Sequence, residues 1–270
     1  MKYFDKFESF KKAEDSWDKK AKELSRIKAL KTQSNPKNTA ILEKENIFLR
    51  LKSLFYILKT DKNKKLLKYF LKSPISYSFN LLSSYFLKKP YTYQNDIYFF
   101  NIKDEKELNK LLIQKNTILI VGFSYCHKPF ECPSMRFSKD CKYDYSNDIC
   151  AQCFIGKCIN TISDPSAIFL NILDINHIGE KLFEIKNSNP NKKIIYILTA
   201  CTLSIKMFAD LSNMLKIKGI SIPLDGRVCV NFKNFHLAEI GIKKNITSVR
   251  EFHKKKILEF LAIRRNKKLI

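Results

Sequence analysis

Short runs of aliphatic residues alternate with longer amphipathic segments in the second half of the chain. Three runs, at 117–123, 192–201 and 220–224, are rich in Ile and Leu, which is typical of strands buried on both faces of a sheet. Between them, 175–187 and 203–219 carry apolar residues at helical spacing, and the second helix is expected to end at its final glycine. This alternation predicts an α/β fold, a three-layer domain with a largely parallel sheet.

The first 115 residues show mostly helical patterns. The predicted elements are an amphipathic helix at 41–59, a helical pair at 66–87 interrupted by Pro74, a strand or hairpin at 91–102, and a helix at 104–115. A stretch rich in Ser, Asn and Pro at 32–39 is typical of a linker. A mainly helical N-terminal region is therefore expected to precede the sheet.

Three regions follow from these patterns. Residues 1–115 form a basic, mainly helical N-terminal region, and 116–246 form a cysteine-rich α/β domain. Residues 247–270 form a basic C-terminal helix, whose apolar face at 248–268 is expected to pack on the sheet or on the N-terminal helices.

The formal net charge of +24 raises the question of nucleic-acid binding. The excess of Lys over acidic residues is concentrated before residue 116 and after residue 242, whereas the cysteine-rich middle is nearly balanced. Only seven of the 50 basic residues are Arg, although base readout and phosphate clamping favour Arg. We therefore expect no specific nucleic-acid partner, and a surface suited to peripheral contact with an anionic membrane.

No apolar run resembles a secretion signal or a bilayer span. The N-terminal stretch MKYFDKFESFKK alternates aromatic and charged residues, and the charge-free stretch at 73–87 is too short and too polar to span a bilayer. A soluble protein in the cytoplasm is expected. Thiols stay reduced there, so clustered cysteines are more often metal ligands or reactive thiols than disulfides.

Six of the eight cysteines fall within one short segment. They are Cys126, Cys132, Cys141, Cys150, Cys153 and Cys158, and Cys201 and Cys229 follow far downstream. The two-residue spacing of Cys150 and Cys153 lets both sulfurs reach one ion. A helix predicted at 150–162 would also lower their pKa through the positive end of its dipole. Cys158 is rotated off the face of Cys153 and fits the core instead.

Three cysteines are placed at the ends of predicted strands. Cys126 lies just past the first strand, Cys201 ends the second and Cys229 lies just past the third. The carboxyl ends of parallel strands face one crevice, so we expect these thiols to converge there with the Cys150 helix. The predicted metal ligands are Cys126, Cys150, Cys153, Cys201 and Cys229, with Cys132 and Cys141 next.

The spacing favours an iron–sulfur cluster over zinc. Zinc ribbons usually carry two C-x2-C pairs and this chain has one, whereas iron–sulfur clusters accept irregularly spaced thiolates. We expect a cluster with a redox or accessory role, working with a protein partner that the sequence does not identify.

Two alternatives stay open. One is a structural-zinc adaptor that docks on a membrane surface or a partner through basic helices at 41–89. The other is a metal-free thiol enzyme with Cys153 as its nucleophile. The sequence contains neither a phosphate-binding glycine loop nor a common hydrolase motif, which argues against dinucleotide binding and hydrolase chemistry.

Three stretches, SYCHKPFECP, CAQCFIGKC and ILTACTLSIKMFADLSNMLKIKGISIPLDGRVCV, resemble the domain of unknown function 116, a cysteine-rich prokaryotic family. The similarity covers roughly 117–235. The chain departs from the family pattern at Phe154, where a glycine is usual, at Cys158, and between Gly226 and Cys229, where two residues intervene. The resemblance implies a metal-associated α/β domain and no particular reaction. It marks Cys126, Cys132, Cys150, Cys153, Cys201 and Cys229.

Overall fold

The computed structural model describes residues 1–31, 47–86, 89–226, 229, 231–243 and 245–266. Its central sheet consists of β1 (Thr92–Gln94), β2 (Ile97–Phe100), β3 (Thr117–Ser124), β4 (Ala167–Ile172), β5 (Lys193–Ala200) and β6 (Lys218–Pro223). The strand order is β1-β2-β6-β5-β3-β4. β3 pairs in parallel with β4 and β5, and β5 pairs in parallel with β6. The β1–β2 hairpin adds to β6 in antiparallel orientation. Beside it, β7 (Asp225–Gly226) pairs with β8 (Thr247–Ser248).

Helices cover both faces of this sheet. In chain order they are α1 (Phe10–Ile27), α2 (Ile47–Thr60), α3 (Lys65–Phe70), α4 (Pro74–Phe86), α5 (Glu105–Ile113), α6 (Asp148–Gln152), α7 (Phe154–Ile159), α8 (Ile175–Ser188), α9 (Thr202–Leu215), α10 (Phe232–Glu239) and α11 (Glu251–Asn266). α2 and α4 pack on α9, and α3 packs on α8. α11 packs on α5 and α7. The α/β prediction, with its largely parallel sheet, its N-terminal helices and its C-terminal helix, is confirmed.

The N-terminal and C-terminal regions both join the main core. Residues before 116 supply β1, β2 and α5 to the same sheet and hydrophobic core as the cysteine-rich segment. Arg264 of α11 is 1% exposed, and its guanidinium donates to the Leu112 carbonyl at 2.9 Å and to the Thr117 hydroxyl at 2.6 Å. A second pair of bonds reaches the Thr117 carbonyl at 2.6 Å and the Ser166 hydroxyl at 2.7 Å. One buried cation therefore ties α11 to the starts of β3 and β4.

Two local expectations are wrong. The helix predicted at 203–219 ends at Leu215, and Gly219 lies in β6, where a Cβ would overlap the carbonyl oxygen of Tyr196 on β5. This glycine serves close strand pairing and is not a helix end. The single helix predicted at 150–162 is two short helices, α6 and α7, separated at Cys153.

Other expectations resolve into definite elements. The aromatic stretch at 91–102 is the β1–β2 hairpin, with Asn95 and Asp96 at positive φ in its turn. The mixed pattern at 166–173 is the edge strand β4. The linker predicted at 32–39 lies outside the described residues. Within the described ranges, every helix is too short or too polar to cross a membrane.

Candidate functional site

The carboxyl ends of β3, β5 and β6 lie at one edge of the sheet, and three thiols lie there. Cys126 follows β3 by two residues, Cys201 directly follows β5, and Cys229 comes after β6 and β7. All three line one cavity, and each is less than 10% exposed. We call Cys126, Cys201 and Cys229 the rim cluster. The prediction that strand-end cysteines converge is correct for these three.

The rim cavity is small and mostly apolar, with a free volume of about 40 Å³, room for a few water molecules. Its walls include Ile178, Ile205 and Phe208, and its polar lining includes Ser221 and Glu239. Burial is the main cause that raises the pKa of Glu239 to about 9, so this carboxyl is neutral at physiological pH. Glu239 still accepts a hydrogen bond from the Ile175 amide at 2.8 Å.

Hydrogen bonding divides the charge unequally between two of the rim thiols. A hydrogen bond from Cys229 is the main cause that lowers the pKa of Cys201 to about 6, and the Ser204 hydroxyl, 3.0 Å from the Cys201 sulfur, adds to this effect. The same bond, together with burial, raises the pKa of Cys229. The Lys243 ammonium lies 3.9 Å from the Cys229 sulfur. Cys201 is therefore the thiolate of the pair and Cys229 the neutral thiol, whose S–H also donates to the Asn234 carbonyl, 3.6 Å away.

Arg136 fixes the backbone around the rim cluster. Its guanidinium donates to the Cys126 carbonyl at 3.0 Å, the Lys128 carbonyl at 3.1 Å and the Lys243 carbonyl at 2.7 Å. It thereby joins the loop after β3 to the loop that carries Lys243. Burial raises the pKa of Cys126, which keeps this third thiol neutral.

A second cavity lies in the loop region that follows β3. Its lining includes four thiols, and its free volume of about 10 Å³ has room for about one water-sized sphere. We call these thiols the loop cluster: Cys132, Cys141, Cys150 and Cys153. The lining residues of the two cavities do not overlap. The predicted single site that joins Cys150 and Cys153 to the three strand-end thiols is therefore wrong.

Backbone amides lie near three of the four sulfurs of the loop cluster. The N–H groups of Ile155 and Gly156 lie near the Cys153 sulfur and that of Tyr143 near the Cys141 sulfur, where they favour the thiolate forms. The Asp144 N–H has the same effect on Cys150. The local sequence provides this geometry. Asn147 caps α6 by accepting from the Cys150 amide at 3.1 Å, and the Cys153 amide donates to the Cys150 carbonyl at 3.2 Å.

Burial, and not a helix dipole, dominates the charge state of these thiols. It raises the pKa of Cys141 and Cys150, and it raises that of Cys153 to about 12. The prediction that a helix dipole lowers the pKa of Cys150 and Cys153 is wrong, because burial outweighs the dipoles of the short helices α6 and α7, although Cys153 is the N-cap of α7. The alternative of a thiol enzyme with Cys153 as its nucleophile stays a prediction.

A buried lysine stands beside the loop cluster. The Lys128 ammonium donates to the Ser138 carbonyl at 3.0 Å and to the Asp140 carbonyl at 2.9 Å, so it closes the loop between Cys132 and Cys141. Its charge also favours the thiolate of Cys141. Lys128, Arg136 and Lys243 escaped the sequence analysis because nothing in their spacing separates them from the many surface lysines and arginines.

Cys158, the eighth cysteine, and His127, which follows Cys126, both have packing roles. Cys158 is fully buried in the main core, as predicted. His127 stacks on Phe154, with ring centroids 5.6 Å apart, and burial lowers its pKa to about 3.

In the described part of the chain, no group of three or more His, Cys, Asp or Glu side chains stands in metal-ligating geometry. The four loop thiols thus border one cavity without their sulfurs surrounding a single point, and ligation requires rotation about their Cα–Cβ bonds.

Compared with protein-family models, with curated proteins and with solved structures, the chain matches none. The resemblance to the domain of unknown function 116 stays a prediction.

Proposed function

We propose that the protein is a metal-binding α/β protein in which the loop cluster holds one sulfur-ligated zinc ion. The observation that carries this proposal is that four thiols line one small cavity. Backbone amides near three of them, Cys141, Cys150 and Cys153, favour their thiolate forms. Four cysteine thiolates are a common ligand set of structural zinc.

The amides distinguish a ligand set from ordinary buried cysteines. An N–H group that donates to sulfur stabilises the thiolate, whereas a core thiol needs no donor. Burial alone opposes ionisation of Cys141, Cys150 and Cys153. Amides near buried sulfurs are best explained by a cation that keeps these thiols deprotonated.

The size of the cavity favours a single ion over a cluster. A free volume of about 10 Å³ accommodates about one water-sized sphere, whereas an iron–sulfur cluster adds several iron and sulfide atoms between the same four thiols. The iron–sulfur prediction from the sequence therefore becomes the rival outcome at this site. Both a zinc ion and an iron–sulfur cluster are held by thiols that are not joined in disulfides, as expected for a protein of the cytoplasm.

The role we propose for the ion is accessory. The loop that carries Cys132 and Cys141 also carries Arg136, whose guanidinium holds the backbone of Cys126 and Lys243 at the rim cavity. An ion in the loop cluster would hold that loop in one shape and thereby support the rim cluster.

Metal analysis of the purified protein tests the proposal. We expect about one zinc per chain and no absorbance near 400 nm, with at least half of the zinc lost in Cys132→Ser and in Cys153→Ser. Cys229→Ser is the matched control from the rim cluster and should keep its zinc. A brown protein that contains iron and sulfide would contradict the zinc proposal and support the iron–sulfur cluster. Loss of metal in Cys229→Ser would contradict the assignment of the metal to the loop cluster.

A specific observation also favours the docking alternative. α2 exposes Leu51, Phe55 and Leu58, and α4 exposes residues at the same helical spacing. Phe55 and Phe79 are 69% and 65% exposed. We call the whole set the docking face: Leu51, Phe55, Leu58, Ile75, Phe79, Leu82 and Phe86.

The charge around the docking face fits one kind of partner, an anionic membrane surface. Residues 51–86 contain seven lysines, all exposed, and one acidic residue. That residue, Asp61, is buried and accepts hydrogen bonds from the amides of Lys65 at 2.8 Å and Leu67 at 3.1 Å. An apolar helical face with a lysine rim and no exposed acid is typical of helices that lie at a lipid headgroup interface.

Sedimentation with vesicles measures this docking. The protein should bind vesicles of phosphatidylcholine with phosphatidylglycerol, and Phe79→Asp should weaken binding about tenfold or more, because a buried Phe contributes about 1.5–3 kcal/mol. Phe252→Asp on α11 is the matched control, since Phe252 is also an exposed Phe, at 60%. If Phe79→Asp and Phe252→Asp bind the vesicles equally well, or if the protein binds a protein partner and no vesicles, the membrane role is contradicted.

A further inference from the structure

We infer that the rim cluster is a thiol–disulfide exchange site, in which Cys201 attacks a low-molecular-weight disulfide and Cys229 resolves the product. This site lies in a different cavity from the proposed zinc site. The two thiols line the same small cavity and influence each other's pKa, so the resolving thiol lies beside the sulfur that it must attack.

The position of Cys201 suits a nucleophile. Cys201 is the N-cap of α9, a helix of 14 residues, so its sulfur lies at the positive end of the helix dipole. The Ser204 hydroxyl lies 3.0 Å from the Cys201 sulfur and the cavity lies beside it. Cys126 lies within a three-residue 3-10 helix, Tyr125–His127, and Cys229 lies three residues before α10, so of the three thiols only Cys201 caps a long helix.

The cations around the rim cluster favour thiol chemistry. Lys243 places its ammonium 3.9 Å from the Cys229 sulfur, and Arg136 holds the Cys126 carbonyl. A thiolate is stabilised by a neighbouring ammonium. An electropositive, partly enclosed pocket is the setting in which reactive cysteines occur.

A buried hydroxyl indicates that the rim cavity accepts a polar group. Ser221 of β6 is 1% exposed and lines the cavity, and its hydroxyl has no hydrogen-bond partner among the described residues. An orphan polar atom in a cavity with room for a few water molecules indicates water or a polar ligand atom there. With Lys243 close by, the favoured substrate is a disulfide that carries a negative charge.

The exchange balances without any other oxidant. The Cys201 thiolate attacks one sulfur of R–S–S–R, so that a Cys201–S–S–R bond forms and RS⁻ leaves. The Cys229 sulfur then attacks the Cys201 sulfur, a Cys201–Cys229 disulfide forms, and the second RS⁻ leaves. The proton of the Cys229 thiol passes to one leaving group, which departs as RSH, and the other departs as RS⁻. The protein loses two electrons and the small disulfide gains them.

The anionic aromatic disulfide 5,5′-dithiobis(2-nitrobenzoate) is the probe, used on the zinc-loaded protein. In the fast phase the wild type should release two equivalents of nitrothiobenzoate per chain and retain no adduct. Cys229→Ser should release one equivalent and keep the adduct on Cys201, and Cys201→Ser should lack the fast phase. Peptide mass mapping locates each adduct, and thermal melting checks that the variants fold.

Lys243→Met tests the electrostatic part of the inference. It should slow the fast phase several-fold without changing its stoichiometry, whereas Lys233→Met, an exposed lysine on α10, should react like the wild type. A fast phase that survives in Cys201→Ser, or that maps to Cys132, Cys141, Cys150 or Cys153, overturns the inference. So does a bound metal that is lost from Cys201→Ser while the loop cluster keeps its own.

Discussion

Removal of the zinc with a chelator should lower the midpoint of thermal unfolding by about 10 °C, and Cys153→Ser should reproduce most of this loss. Structural zinc contributes its binding free energy directly to folding, and a loss of about 3 kcal/mol or more is a modest fraction of that energy. In a chain of this size each kcal/mol corresponds to about 2–4 °C. Without the ion, burial favours the neutral forms of Cys141, Cys150 and Cys153, because it raises the pKa of all three thiols.

Removal of the ion should alter the surroundings of the N-terminal segment, because this segment packs on the loop region that carries the loop cluster. Tyr3 stacks on Tyr145 with ring centroids 3.7 Å apart, and Trp17 lies 4.8 Å from the same ring. The Lys20 ammonium donates to the Tyr145 carbonyl at 2.7 Å, and Lys157 of α7 pairs with Asp18 at 2.7 Å. In the sequence Tyr145 lies between two cysteines of the loop cluster. If this loop loses its fixed conformation, Trp17 loses part of its packing contacts.

Tryptophan fluorescence and amide hydrogen exchange therefore measure the structural effect of removing the metal. Trp17 is the only tryptophan and is 1% exposed, so its emission should shift to longer wavelength when zinc is removed. Amide exchange should rise over 126–160 and in α1, while β5 and β6 stay protected. The chelator should add little further effect in Cys153→Ser. An unchanged melting midpoint and emission after complete loss of metal contradict a structural role for the ion.

The strands and the rim cluster could be predicted from the sequence because both depend on local pattern and parallel topology. The runs that form β3, β5 and β6 are aliphatic and buried, and a parallel sheet brings the ends of such strands to one edge. Cys201 directly follows β5, and Cys126 and Cys229 lie two and six residues past the ends of β3 and β6, so their convergence follows largely from the parallel topology.

The division of the thiols into two clusters could not be predicted in this way. It depends on the path of the loop after β3, which the carbonyl contacts of Lys128 and Arg136 fix. These bonds span distant residues, and in a chain with 50 basic residues nothing in the sequence marks these two. The break between α6 and α7 at Cys153 escaped for a related reason, since the apolar spacing continues through it.

Gly156→Ala should weaken zinc binding about tenfold or more, although Gly156 is not a ligand. A Cβ at this position would lie 2.6 Å from the Cys150 carbonyl oxygen and 3.7 Å from the Cys153 Cβ. Backbone cannot yield as a flexible side chain does, so α7 must move away from α6. The Gly156 amide, which favours the Cys153 thiolate, would move with it. Competition with a chromogenic zinc chelator measures the change in affinity.

Gly179→Ala on α8 is the matched control, since it makes the same substitution within a helix. A Cβ there would meet only flexible methyl groups, Leu66 at 3.1 and 3.3 Å and Leu211 at 3.4 Å, which can shift by a few tenths of an ångström. Alanine also favours a helix over glycine by about 0.5–1 kcal/mol, so Gly179→Ala should leave stability and zinc affinity nearly unchanged. Wild-type zinc affinity in Gly156→Ala would show that the approach of α7 to the Cys150 turn does not shape the loop cluster. Reduced affinity in Gly156→Ala alone would show that the backbone, and not the thiols alone, determines how this site binds its ion.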